Sequence, residues 1–84
     1  MDEKTVRALV EAGAVKKVLI IGNGATIHVD IVTKTDTHTV TTTKGAIKTW
    51  AAIDTSARWL KNLGIGHAQL EIGKWSPGQR PLDL

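Results

Sequence analysis

The stretch Lys48–Gly66, KTWAAIDTSARWLKNLGIG, constrains the fold of this chain more than any other segment. It encodes a short amphipathic helix with both ends specified. Asp54 is placed to cap the first turn, because its carboxylate can accept backbone N–H groups that lack an intrahelical partner. Gly64 follows the last apolar position, where a left-handed residue ends a helix, and Ile65 can fold back onto the final turn. Between these ends Ala57, Leu60 and Leu63 share one face at helical spacing, while Arg58, Lys61 and Asn62 lie off it. An earlier helix is read at the start of the chain. Asp2 is its N-cap, Val6, Leu9 and Val10 form a narrow apolar stripe, and Gly13 stops it near Ala12.

The segment between the two helices reads as strand. KKVLIIG (16–22) runs into Asn23–Gly24 and then ATIHVDIVT (25–33), and Asn-Gly between two β-branched runs is a strong hairpin signal. A two-residue turn there sets Ile20 opposite Ile27, Val18 opposite Val29 and Lys17 opposite Asp30. Alternation then puts Val18, Ile20, Ile27, Val29 and Ile31 on the core face. The other face receives Lys17, Leu19, Ile21, His28, Asp30 and Val32. The threonine-rich run that follows is a third strand over about residues 38–43, since threonine favours a pleated, half-exposed surface; Val40 is its core residue. A fourth strand, HAQLEI (67–72), alternates with Ala68, Leu70 and Ile72 inward. The expectation is a single small α+β domain, residues 1–73, in the order α-β-β-β-α-β. Its antiparallel sheet has the helices packed on one face, and an extended C-terminal tail covers residues 74–84, with Trp75 pinning it.

Size and composition bound the function. At 84 residues without cysteine, the chain has a modest core and neither disulfides nor thiolate metal sites. No apolar run approaches the roughly 20 residues that span a bilayer. The opening residues carry Asp2, Glu3 and Glu11 and lack the basic-then-apolar order of a secretion signal, so a cytoplasmic location is expected. The net charge is +3, and between Lys16 and Lys61 seven basic residues face three acidic ones, a net +4. A mild basic excess of this kind points toward phosphate-rich partners.

Catalytic chemistry has little support. His28, His38 and His67 sit on separate segments without metal-ligand spacing, Ser56 lacks the surroundings of an activated nucleophile, and no paired carboxylates are present. GNGA (22–25) and GIG (64–66) read as a turn and a helix stop rather than phosphate loops. No enzyme activity, cofactor, metal or small-molecule substrate is expected. For a nucleic-acid partner, Lys17, Lys34, Lys44, Lys48, Arg58 and Lys61 are the candidate phosphate contacts. The absence of Phe and Tyr argues against a stacking platform for single strands. Leu19, Ile21 and Val32 form an apolar trio on the outward sheet face, which either the C-terminal tail covers or a second subunit or protein partner does. Trp59 is the further candidate anchor, because tryptophan is enriched in interfaces, although Trp50, Trp59 and Trp75 are equally suited to packing.

Three segments also carry a family likeness: AGAVKKVLI (12–20), KTWAAIDTSARWLKNLGIG (48–66) and KWSPGQRPL (74–82). With them the chain resembles small ParC-type proteins associated with plasmid partition loci, matching at Lys48, Trp50, Asp54, Ala57, Arg58, Trp59, Leu60, Leu63, Gly64, Trp75 and Pro77. The likeness covers most of the chain and brings no catalytic residue. It implies a non-enzymatic accessory role in plasmid partition or maintenance; joined to the basic excess and the outward apolar trio, the expectation is a homodimer that binds DNA or the partition machinery. The alternative is a protein–protein adaptor or inhibitor from a mobile element acting on a host complex. A third reading, a module like those that bind double-stranded RNA, rests on element order alone, since Asp54 stands where such domains begin a basic helix.

Overall fold

The computed structural model describes residues 1–76. Its first element is α1 (Glu3–Glu11), begun by Asp2 as the sequence predicts. The Asp2 carboxylate accepts hydrogen bonds from the Thr5 backbone N–H at 3.0 Å and from Thr5 Oγ1 at 2.9 Å. These bonds, the backbone one foremost, hold the Asp2 carboxyl below its ordinary value. A depressed folded-state pKa contributes stability above the unfolded value, and that contribution is lost as pH falls toward the folded one. Asp2→Asn keeps the capping oxygen and removes the titration. The gap in melting temperature between wild type and D2N is therefore expected to shrink as pH drops from about 5 to about 2. A gap that stays constant over that range would show that the charge plays no part in the cap.

α1 ends at Gly13, whose φ of +69° is open to glycine without strain. The Ala14 N–H donates to Leu9 at 2.9 Å and the Gly13 N–H to Val10 at 3.0 Å, the paired bonds of a Schellman motif. The chain then enters β1 (Lys17–Gly24), turns, and returns as β2 (Thr26–Val32). The turn falls one residue later than the Asn-Gly reading: Gly24, at φ +62°, and Ala25 occupy it. Pairing accordingly moves by two residues, setting Val18 against Ile31, Ile20 against Val29, Gly22 against Ile27 and Lys17 against Val32. Because strand side chains alternate with a period of two, this shift leaves every residue on its predicted face. Val18, Ile20, Ile27, Val29 and Ile31 are all buried.

β3 (Thr37–Thr39) is shorter than the predicted third strand. Just beyond it the Val40 N–H still bonds Val29 of β2 in the same register, and the chain then turns to another partner, the Thr41 N–H bonding Met1. Val40 is fully buried, as read. After a turn closed between Thr42 and Gly45, Trp50 exchanges both backbone bonds with Ile27, each at 2.8 Å.

α2 (Ile53–Asn62) starts before the residue expected to cap it. Ala52 is the N-cap, in extended conformation and without a side-chain bond, whereas Asp54 lies within the first turn, exposed. Ile53 packs against the core, which draws the helical backbone back to include it. Asp54 still favours the positive helix start and lies 3.5 Å from Arg58, one turn on. The buried stripe consists of Ser56, Leu60 and Leu63, with Ile53 and Trp59 half-buried beside it. Ala57, expected to face inward, is exposed one step around the helix from Ser56. The end is as predicted: Gly64 has φ +94°, and the Ile65 N–H reaches back to Leu60 at 3.1 Å.

β4 (Gln69–Trp75) lies beside β1 and runs parallel to it, giving the sheet order β3-β2-β1-β4. The sheet is therefore mixed, not antiparallel as expected. The reason lies in α2, which begins past Trp50, near the hairpin end, and finishes at Gly64–Gly66, beside the start of β1. A strand leaving that point must run in the direction of β1. Both helices pack on one face of the sheet, with Val6, Leu60 and Leu63 joining the strand core residues. α2 makes its main contacts with β1 and β2. Ala68, Leu70 and Ile72, expected inward, are consequently exposed, Leu70 at 45% and Ile72 at 50%. β4 also continues two residues into the predicted tail, and the Ser76 N–H ties it to Gly24 at 2.7 Å. The remaining tail, 77–84, with Pro77, lies outside the described residues.

Candidate interaction surfaces

The helix-free face of the sheet carries Leu19, Ile21, His28, Asp30 and Val32, all half-buried, with Lys17 exposed at its margin. Each apolar residue there has polar neighbours across the ladder. Leu19 lies between Asp30 and Gln69, Ile21 between His28 and Glu71, and Val32 between Lys17 and Thr37. Asp30 is held by Thr39, whose Oγ1 donates to its carboxylate at 2.8 Å. The predicted trio thus shares one face, interrupted by hydrogen-bonding groups.

Trp59 belongs to a different surface. Its ring lies 5.2 Å from that of Trp50, centroid to centroid, and its Nε1 donates to Glu3 at 3.1 Å. The Lys48 Nζ sits 5.4 Å from the Trp50 centroid and 5.9 Å from that of Trp59. An ammonium over two ring faces is attracted by their negative quadrupoles. Both indoles also pack against the core cluster. Lys48 is thereby drawn onto the aromatic pair, and Trp59 joins the two helices.

The remaining basic candidates divide. Arg58 is engaged with Asp54, and Lys44 stands in the Thr42–Gly45 turn. Lys17, Lys34 and Lys61 lie toward one end of the molecule, where both helices finish. There Lys16, Lys17 and His67 line a groove of about 280 Å³ with Gly13 and Gly64. Lys16 also lines the neighbouring cleft, with Lys34, His38 and Asp36, while His67 and Lys61 share a third, between α2 and β4. Among the described residues lining these three clefts, Asp36 is the only acid. Lys16 and His67 were not among the predicted contacts. The Lys16–Lys17 tandem directly after a helix stop was the available signal for the first, but only the fold brings His67 to it.

The residues weighed for catalysis stay apart. Ser56 is fully buried and donates to Ile53 at 2.7 Å, so its oxygen is committed within the helix. His28 lies on the helix-free face, His38 on β3 and His67 in the loop before β4. Among the described residues no three His, Cys, Asp or Glu side chains gather as metal ligands, and no helix is long and apolar enough to cross a membrane. No family model, curated protein or solved structure matches the chain.

Proposed function

We propose that this chain is a non-enzymatic accessory protein of plasmid partition or maintenance, homodimeric, that binds DNA through its basic end. The gathering of Lys16, Lys17, Lys34 and Lys61 in the clefts around the helix C-termini supports the reading, with Asp36 the one acid among the described lining residues and Glu11 closing α1 beside them. Helix C-termini carry partial negative charge, so backbone dipoles offer a phosphate nothing at this end. The attraction must come from ammonium groups at the tips of flexible chains. Such contacts follow the phosphate backbone, carry no base sequence, and release counterions.

The expected behaviour follows from that count. The log of the DNA-binding constant should fall with log salt at a slope of about −3 to −4 per protomer engaged, near 0.9 per neutralised phosphate. Joint substitution Lys17→Glu, Lys34→Glu and Lys61→Glu should abolish most of that slope, whereas Lys44→Glu should leave it nearly intact. Fluorescence anisotropy with duplex DNA over a salt series measures both. Binding indifferent to salt, or unaltered in the triple variant, would overturn the reading. The helix-free face favours a second one, an adaptor that docks a protein on Leu19, Ile21 and Val32. Loss of partner capture in Leu19→Asp, with the lysine variant still competent, would put it first.

A further inference from the structure

The two edges of the sheet are unlike. β3 offers three residues at one edge, while β4 offers seven at the other, with no strand beyond it among the described residues. A long edge with bare N–H and C=O groups and exposed apolar side chains is a template for another strand. β4 has this character from Gln69 to Lys74, all exposed.

An irregularity in β4 bears on what can pair there. Glu71 pairs with Ile21 and Lys74 with Asn23, so Ile72 and Gly73 together stand opposite the single residue Gly22. This is a β-bulge, and it puts Glu71 and Lys74 on the same, helix-free face, flanking the bulge symmetrically. Leu70 and Trp75 flank it one step farther out, on the helix side. The strand is therefore self-complementary under a twofold rotation centred on the bulge. Turned antiparallel to a copy of itself, it sets Glu71 against Lys74 of the copy, twice, and Leu70 against Trp75 of the copy, twice. The axis passes between Ile72 and Gly73, so each Gly73 faces Ile72 of the copy, and a Cβ built on Gly73 meets nothing in its own chain.

We infer that β4 pairs antiparallel with β4 of a second copy, joining two four-stranded sheets into one of eight. An acidic strand would satisfy only Lys74 and a basic one only Glu71, whereas an identical strand satisfies both, the isologous contact of a twofold dimer. The inference gives the homodimer of the proposed function its interface. It stands apart from DNA binding, since the basic residues lie elsewhere and the salt-series assay scores them independently.

Charge reversal tests it on the full chain. Glu71→Lys sets like charges opposite each other at both symmetry-related pairs, and so does Lys74→Glu. Each is expected to weaken dimerisation on the order of tenfold or more in sedimentation equilibrium. The exchange Glu71→Lys/Lys74→Glu restores opposition and should recover the wild-type constant. Hydrogen exchange supplies a second readout: the β4 amides that point away from β1 should gain protection as concentration rises. A monomeric wild type, a dimer insensitive to the single reversals, or failure of the exchanged pair to recover would each overturn the inference. Protection of those outward-pointing amides that is independent of concentration would also overturn it, since the edge would then be covered from within the chain.

Discussion

Ile27→Ala is expected to remove about 3–5 kcal/mol of stability, enough to leave a domain of this size largely unfolded at physiological temperature. Ile27 is fully buried on the face that receives both helices. Its backbone is also the meeting point of three segments, facing Gly22 on β1 and exchanging both hydrogen bonds with Trp50. Relaxation cannot close the resulting cavity easily, because the surrounding backbone is fixed by these ladders. Part of the penalty should therefore persist as unfilled volume. Urea unfolding followed by tryptophan fluorescence measures it, with Ile47→Ala as the matched control, since Ile47 is 58% exposed. A loss below about 1 kcal/mol for I27A would place it outside the usual range for a core cavity.

The second large effect comes from adding atoms rather than removing them. A Cβ on Gly22 would lie 2.5 Å from both Cβ and Cγ of Trp75 and 2.8 Å from its Cδ1. The Trp75 Cβ is attached directly to the backbone of β4, so no rotamer change can move it away. Gly22→Ala must push the end of β4 off β1 or strain both strands, at a cost of about 1–3 kcal/mol. In the first case the Trp75 indole resonance should shift and β4 amides should exchange faster, while the β1–β2 hairpin keeps its protection. Trp75→Ala retains the offending Cβ and should not rescue the variant. Trp75→Gly should remove the clash, giving strong non-additivity in the double-mutant cycle. Simple addition of the two single effects would mean that the contact is not tight.

Where local chemistry determined the outcome, the sequence was legible. Asp2, Gly13 and Gly64 specify helix ends through bonds made within a few residues, and each acts as read. The faces of β1 and β2 were likewise readable because alternation survives the two-residue error in their pairing. Misreadings arose where a distant segment decided. Asp54 lost the cap because Ile53 found a place in the core, a contact that helix-start preference does not contain. The direction of β4 depends on where α2 delivers the chain, and the exposure of Leu70 and Ile72 on how far α2 reaches across the sheet. The interaction surfaces divide in the same way. Leu19, Ile21 and Val32 were placed together by alternation alone. The separation of Trp59 from them, and of Lys17, Lys34 and Lys61 from Lys48, required the packed fold.

The parallel placement of β4 has a temporal consequence. Leu19 finds Asp30 after a short loop, but must wait for Gln69, fifty positions along the chain, to complete its other side. Closing the longer loop costs more entropy, and contacts so distant in sequence form slowly. On a nascent polypeptide the hairpin is therefore available well before its neighbour emerges, and one flank of β1 meanwhile stands open to unrelated chains. Glycine at position 22, bare of any side chain, keeps that flank ready for the late arrival of Trp75.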